Sequence, residues 1–217
     1  MEDILSEIED NEILSEREVF SKIWLEPRKV FKFIIRRSYR KYFILLLGLA
    51  GIVRAFDRAS MRDMGDKQSL LFIVSVSIVG GALLGWISYY IYAALIRWTG
   101  KWVGGHADFD SIIKVITYAM IPSIVGLLFL VPQLLTYGVE AYKADGDITS
   151  GSLLTNIVFY VSLLAELALG IWTIVLLVVG ISEVQNLSVG KAILNLLLPI
   201  IIIFVPILLL TLLFSSF

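Results

Sequence analysis

One carboxylate, Glu166, stands near the middle of an apolar run from Leu153 to Ile181, and no basic residue lies deep in another such run to neutralise it. Left unpaired in hydrocarbon, such a charge costs about 2.5 to 3.5 kcal/mol on insertion scales. A proton or cation relay would use it, and so would a ligand that needs a counter-ion. The structural alternative is a protonated carboxyl hydrogen-bonded to a neighbouring Ser, Tyr or Asn.

The remaining chemistry-bearing residues assemble no recognisable site. His106, the sole histidine, shares a loop with Asp108 and Asp110, which is too few ligands at the wrong spacing for zinc. Nucleophile elbows, zinc-helix motifs and phosphate-binding glycine loops are missing, and the pair Gly104-Gly105 is too short for the last. With no cysteine there is no thiolate ligand, thiol nucleophile or disulfide. The reading is therefore no catalytic residue, no metal, no cofactor, no nucleic-acid partner and no enzyme. Asn186-Leu187-Ser188 fits a glycosylation sequon, but the topology below puts it in the cytoplasm.

Charge is segregated at the start of the chain. Residues 1 to 26 carry nine acids against Arg17 and Lys22, whereas Arg28, Lys29, Lys32, Arg36, Arg37, Arg40 and Lys41 follow with no acid among them. Val30, Phe31, Phe33, Ile34 and Ile35 interleave the basic residues, so a helix started by Pro27 would lie on anionic lipid headgroups. The acidic arm repeats itself, Ile4-Leu5-Ser6-Glu7 against Ile13-Leu14-Ser15-Glu16, setting two apolar knobs on a solvated strip. It is a plain cytoplasmic tail, a docking peptide, or an arm that folds back on the basic segment and competes with lipid. Nine acids and no apolar stretch also argue against a cleaved signal peptide.

A membrane must hold these groups in place. Hydrophobic residues make up 58% of the chain and mean hydropathy is +0.87, leaving too few polar side chains to cover a water-soluble particle. About 20 apolar residues cross the roughly 30 Å hydrocarbon layer as a helix. Five runs qualify: Tyr42 to Phe56, Leu70 to Ile96, Val115 to Tyr137, Leu153 to Ile181 and Ala192 to Phe214. The first is short, so its helix is expected to begin near Ser38, with Arg37, Arg40 and Lys41 snorkelling to the interface; a re-entrant hairpin is the alternative. Five crossings put thirteen of the 18 Lys and Arg on the N-terminal side and five opposite, which places the N-terminus in the cytoplasm and Phe217 outside.

Within the spans, Ser77, Gly81 and Gly85 recur every four residues as a packing face, for a helix of the same chain by default. Trp86, Tyr89, Tyr90, Tyr92 and Trp98 suit an aromatic belt. Pro122 and Pro132 in the third span, and Pro199 and Pro206 in the fifth, remove helical donors and predict kinks, which can make a cavity or a gate and are tolerated in purely structural spans as well.

Several local patterns stand in a characteristic order: Ile23-Trp24-Leu25-Glu26-Pro27-Arg28, then Gly104-Gly105 with Asp108-Phe109, then Tyr118-Ala119-Met120-Ile121-Pro122. Gly180-Ile181-Ser182-Glu183-Val184-Gln185 and Lys191-Ala192 complete the set. In these the chain resembles the Yip family, named for Ypt/Rab-interacting proteins, and is similar to its prokaryotic branch from about Trp24 onward. The resemblance implies a five-helix membrane domain with a cytoplasmic N-terminus, assembly with other family members, and in eukaryotic relatives action with small GTPases in vesicle traffic. Prokaryotic relatives are linked to transport complexes and the cell envelope. The chain lacks an Asp-Leu-Tyr-Gly-Pro-like stretch before its membrane domain, so GTPase binding is not carried over.

The sequence thus predicts an all-α integral membrane protein of a prokaryotic cytoplasmic membrane. It comprises an acidic arm (1–26), a basic amphipathic interfacial helix (27–41) and a five-helix transmembrane bundle (42–217). The leading functional reading is a scaffold or adaptor that organises anionic lipids, partner membrane proteins or copies of itself, in membrane organisation, trafficking or envelope assembly. The second is a transporter or channel subunit with Glu166 as its proton or cation site.

Overall fold

The structure is a computed structural model that describes residues 13–149 and 151–215, and among these the regular elements are all helices. The first copy of the Ile-Leu-Ser-Glu echo and six of the nine acids of the arm lie outside the described residues, as does Phe217. Helix α1 (Glu16–Lys22) starts at Ser15, whose hydroxyl accepts from the Glu18 backbone N–H while the Glu18 carboxylate accepts from the Ser15 N–H. This reciprocal cap satisfies two donors that a helix start otherwise strands. Leu14 and Val19, the two positions that flank such a cap, are both buried.

Helix α2 (Pro27–Arg36) has proline in its first turn, where a missing N–H costs nothing. Its apolar side chains Val30, Phe31 and Ile34 are fully buried inside the protein, and Arg28, Arg36 and Arg37 are exposed. Phe31 rests on Gly180, where an added Cβ would come within 3.1 Å of the ring.

The next helix does not reach back to Ser38. Ser38 and Tyr42 both adopt left-handed φ, 48° and 60°, which breaks the chain twice, and α3 begins only at Phe43 (Phe43–Met61). The expectation of a helix running through Arg40 and Lys41 is corrected accordingly: these two side chains stand in a turn, paired with acids.

Helices α4 (Leu70–Gly80) and α5 (Trp86–Gly100) are joined by a π-helical turn over Gly81–Gly85. Helix α6 (Phe109–Ala119) runs almost directly into α7 (Ile121–Tyr137), with Pro122 in the first turn of α7. Helices α8 (Leu153–Gln185) and α9 (Val189–Ser215) follow; Pro132, Pro199 and Pro206 lie inside helices that continue through them.

Four stretches, Leu70–Val103, Phe109–Tyr142, Leu153–Gln185 and Val189–Leu208, are long and apolar enough to cross a membrane. Leu83, Leu128 and Leu164 are 64 to 71% exposed on them, a surface that lipid covers and water does not. Helix α3 has 19 residues but carries Arg54, Asp57 and Arg58 in its second half.

Packing divides the chain into two compact units. The first contains the described residues up to Lys41, Tyr90–Ile116 and the described residues from Leu176; the second contains Tyr42–Tyr89 and Thr117–Val175. The segment 42–217 therefore contributes to both. In the second unit a core of Phe56, Ala59, Ile73 and Tyr142 joins α3, α4 and the 3-10 turn Gly138–Tyr142.

Candidate functional site

In the second unit, α7 and α8 are bridged antiparallel by three polar rungs. The Ser123 N–H donates to Thr173 Oγ1 at 3.2 Å, the Gln133 amide donates to the Glu166 carboxylate, and Tyr137 Oη donates to the Thr155 carbonyl at 2.7 Å. Glu166 forms the middle rung, with the side-chain amide of Gln133 on α7 as its hydrogen-bonding neighbour.

Glu166 also opens onto a cavity of about 290 Å³. Asp57 and Ser60 of α3 line the same cavity, as do Ser123 and Gln133 of α7 and Tyr142 beyond it. The floor is apolar, with Phe56, Leu127, Leu130 and Leu169. Two carboxylates thus face one space, and the second, Asp57, is absent from the sequence-based candidates because it sits between Arg54 and Arg58 near a helix end.

In the first unit, a groove of about 530 Å³ runs along the start of α2. Leu14, Leu25 and Phe33 supply apolar surface, and Arg28, Lys29 and Lys32 supply positive charge. Glu26 and Glu183 are the acids on its rim, within 4.0 Å of Lys29 and 3.9 Å of Arg28. Further along, Arg40 pairs with Asp110, and Lys41 with Glu16 of the acidic arm. Lys114, almost fully buried, reaches Asp110 at 2.6 Å.

Two of the ordered sequence motifs, Gly104-Gly105 and Gly180 to Gln185, meet in this unit as well. The Gln185 amide donates to Asn195, and Asn195 donates to the Ile96 carbonyl at 3.0 Å and to Thr99 Oγ1 at 2.8 Å. Gln185 lies directly against Gly100 and Gly105, where any Cβ would collide with its amide. A buried amide network with all these contacts locks the ends of α5, α8 and α9 together, which is a packing role. Sequence reasoning missed Asn195 altogether, and the only available signal was an amide in an otherwise aliphatic run.

The packing face is used within the chain. Gly81 and Gly85 meet Gly51 of α3, an added Cβ on Gly81 would lie 2.7 Å from the Ile52 Cα, and Ser77 is buried. Tyr89 and Tyr92, read as belt residues, turn their hydroxyls inward to donate to the carbonyls of Ala50 and Leu196, each at 3.0 Å. Trp98 stays exposed and meets Trp102 edge-on with centroids 4.9 Å apart. His106 is exposed in its loop, and no group of three or more His, Cys, Asp or Glu is placed to hold a metal among the described residues.

In a comparison with known families, the model described as Yip1 domain aligns with residues 21–210. No curated protein and no solved structure matches the chain.

Proposed function

The chain belongs to the Yip1-domain family, and from that premise we propose that it is a non-enzymatic integral membrane scaffold with five crossings, a cytoplasmic N-terminus and an outside C-terminus, holding anionic lipid on its cytoplasmic side. The observation that carries this reading is the groove on α2, where apolar Leu14, Leu25 and Phe33 adjoin Arg28, Lys29 and Lys32. An anionic headgroup competes for Arg28 and Lys29 with carboxylates that sit at the outer limit of an ion pair, while its acyl chain covers the exposed Leu25. The exposed arginines Arg36 and Arg37 extend the same positive strip, and Arg40 and Lys41 are held by acids of the protein itself. Lipid held in this way would set the chain's position for partner membrane proteins or further copies, in membrane organisation, trafficking or envelope assembly of a prokaryotic cytoplasmic membrane.

Native mass spectrometry of the detergent-purified protein tests this. Phosphatidylglycerol should be retained in preference to phosphatidylcholine, and the triple change Arg28→Ala, Lys29→Ala, Lys32→Ala should abolish the preference. Equal retention of both lipids by the unsubstituted protein overturns the reading.

The shared cavity of Asp57 and Glu166 favours a second reading, a transporter or channel subunit with Glu166 as its proton or cation site. Proton or cation flux in liposomes that disappears in Glu166→Gln would carry it, and no flux in either protein would remove it.

A further inference from the structure

The cavity in the second unit has the chemistry of a ligand site in its own right. Asp57 approaches it from α3 and Glu166 from α8, so two carboxylates face one space. Arg54, one turn before Asp57, acts on that carboxylate but does not line the cavity. Lys143, which follows Tyr142, is held by Glu140 at 2.5 Å. Two carboxylates therefore line the cavity with no Lys or Arg among the lining residues.

A second feature is independent of the acids. Tyr142 is 3% exposed, lines the cavity, and its hydroxyl is buried with no hydrogen-bond partner. A buried hydroxyl left without a partner is costly, and this one belongs to a residue that lines the same cavity as the two carboxylates, where a polar group would satisfy it.

We propose that this cavity binds a small organic cation, a protonated alkylamine, with its ammonium between Asp57, Glu166 and the Tyr142 hydroxyl. An ammonium offers three donors, matching two carboxylates and one phenol oxygen. The rings of Phe56 and Tyr142, with centroids 6.4 Å apart, both line the cavity, and aromatic rings attract cations. Leu127, Leu130 and Leu169 give the alkyl tail an apolar wall. A volume of about 290 Å³ stands at the lower end of small-molecule sites and exceeds what a bare metal ion fills. A hard divalent cation takes six or more oxygens, and here only two carboxylates stand among neutral Ser60, Ser123 and Gln133, so calcium serves as the competing probe.

Calorimetric titration of the full chain in a neutral detergent tests the site, with n-butylammonium chloride, butan-1-ol and calcium chloride as probes. Butylammonium should bind saturably and butan-1-ol should not. Asp57→Asn and Glu166→Gln should each weaken butylammonium binding about ten- to a hundredfold, and Tyr142→Phe a few-fold, with helicity and monodispersity unchanged. No saturable binding of butylammonium overturns the proposal, and so does equal binding of butan-1-ol, calcium binding in its place, or undiminished affinity in both carboxylate variants. Should a variant misfold, the comparison of ammonium with alcohol on the unsubstituted protein decides alone. The proposal needs no passage across the membrane, so flux and lipid retention succeed or fail separately from it.

Discussion

Glu18 accepts from the Ser15 backbone N–H at 2.8 Å, pairs with the Lys22 ammonium at 2.9 Å, and accepts from the Ser15 hydroxyl at 2.7 Å. These contacts, the backbone bond foremost, hold its carboxyl at about 2, well below the ordinary 4.5. A carboxyl held low in the folded chain stabilises the fold above its unfolded value and loses that contribution as acid protonates it. Amide protection over Glu16–Lys22, corrected for intrinsic exchange, should be flat near neutrality and fall as pH drops from about 4.5 towards 2. Glu18→Gln should flatten the profile, and Ser15→Ala should lower protection at neutral pH by about 1 kcal/mol. A profile unchanged by Glu18→Gln would show that the cap does not govern this helix. The cap was legible as Ser15-Glu16-Arg17-Glu18, but the echo with residues 4–7 drew the reading towards apolar knobs. Glu166 was legible because an acid in an aliphatic run is conspicuous. Gln133 and Asp57 were not: an amide is a weak signal, and an acid flanked by two arginines reads as a solvated helix end.

At the scale of elements, the contact of α3 with the π-helical turn shows what a glycine stripe reveals and what it hides. The recurrence of Ser77, Gly81 and Gly85 marks a face that admits another backbone closely. Its counterpart on α3 is a second stripe, Gly51, Ala55 and Ala59, also recurring every four residues, whereas the extra residue of the π turn has no sequence signature here. An added Cβ at Gly85 would stand 2.5 Å from the Gly51 Cα, with only backbone to yield, whereas one at Gly80 meets the Val76 side chain at an ordinary 3.8 Å. Gly85→Ala should therefore destabilise the protein by about 1 to 3 kcal/mol in a detergent unfolding titration. Gly80→Ala should be neutral or stabilising by up to about 1 kcal/mol, since alanine favours a helix over glycine. Equal effects at the two positions would mean that the close approach is not a determinant of stability. Gly180 is a third such position, and the Gly180-to-Gln185 motif was read as a family signature before its packing reason, room for Phe31 and a bed for Gln185, was visible.

At the scale of the whole molecule, the number of crossings turns on α3. Its 19 residues span about 28 Å, close to the hydrocarbon thickness, but three of its last eight residues are charged. Charge bias does not decide: with α3 crossing, Lys and Arg divide thirteen to five, and without it they divide fourteen to four. The ion pairs of the first unit are more discriminating. Arg40 precedes α3, and its partner Asp110 follows the apolar stretch Leu70–Val103; Arg28 likewise meets Glu183, three stretches later. Two groups that pair must share one side of the bilayer, so an even number of crossings separates Arg40 from Asp110. Leu70–Val103 supplies one, and the proposed five-crossing topology assigns the other to α3. Because the chain contains no cysteine, single thiols at exposed Ser21→Cys and Asp145→Cys report sidedness without background. With α3 crossing, three helical passes separate the two positions, and a membrane-impermeant maleimide should label them from opposite faces of sealed vesicles. Labelling from one face would leave α3 lying at the surface and require the Arg40–Asp110 pair to be abandoned along with the fifth crossing.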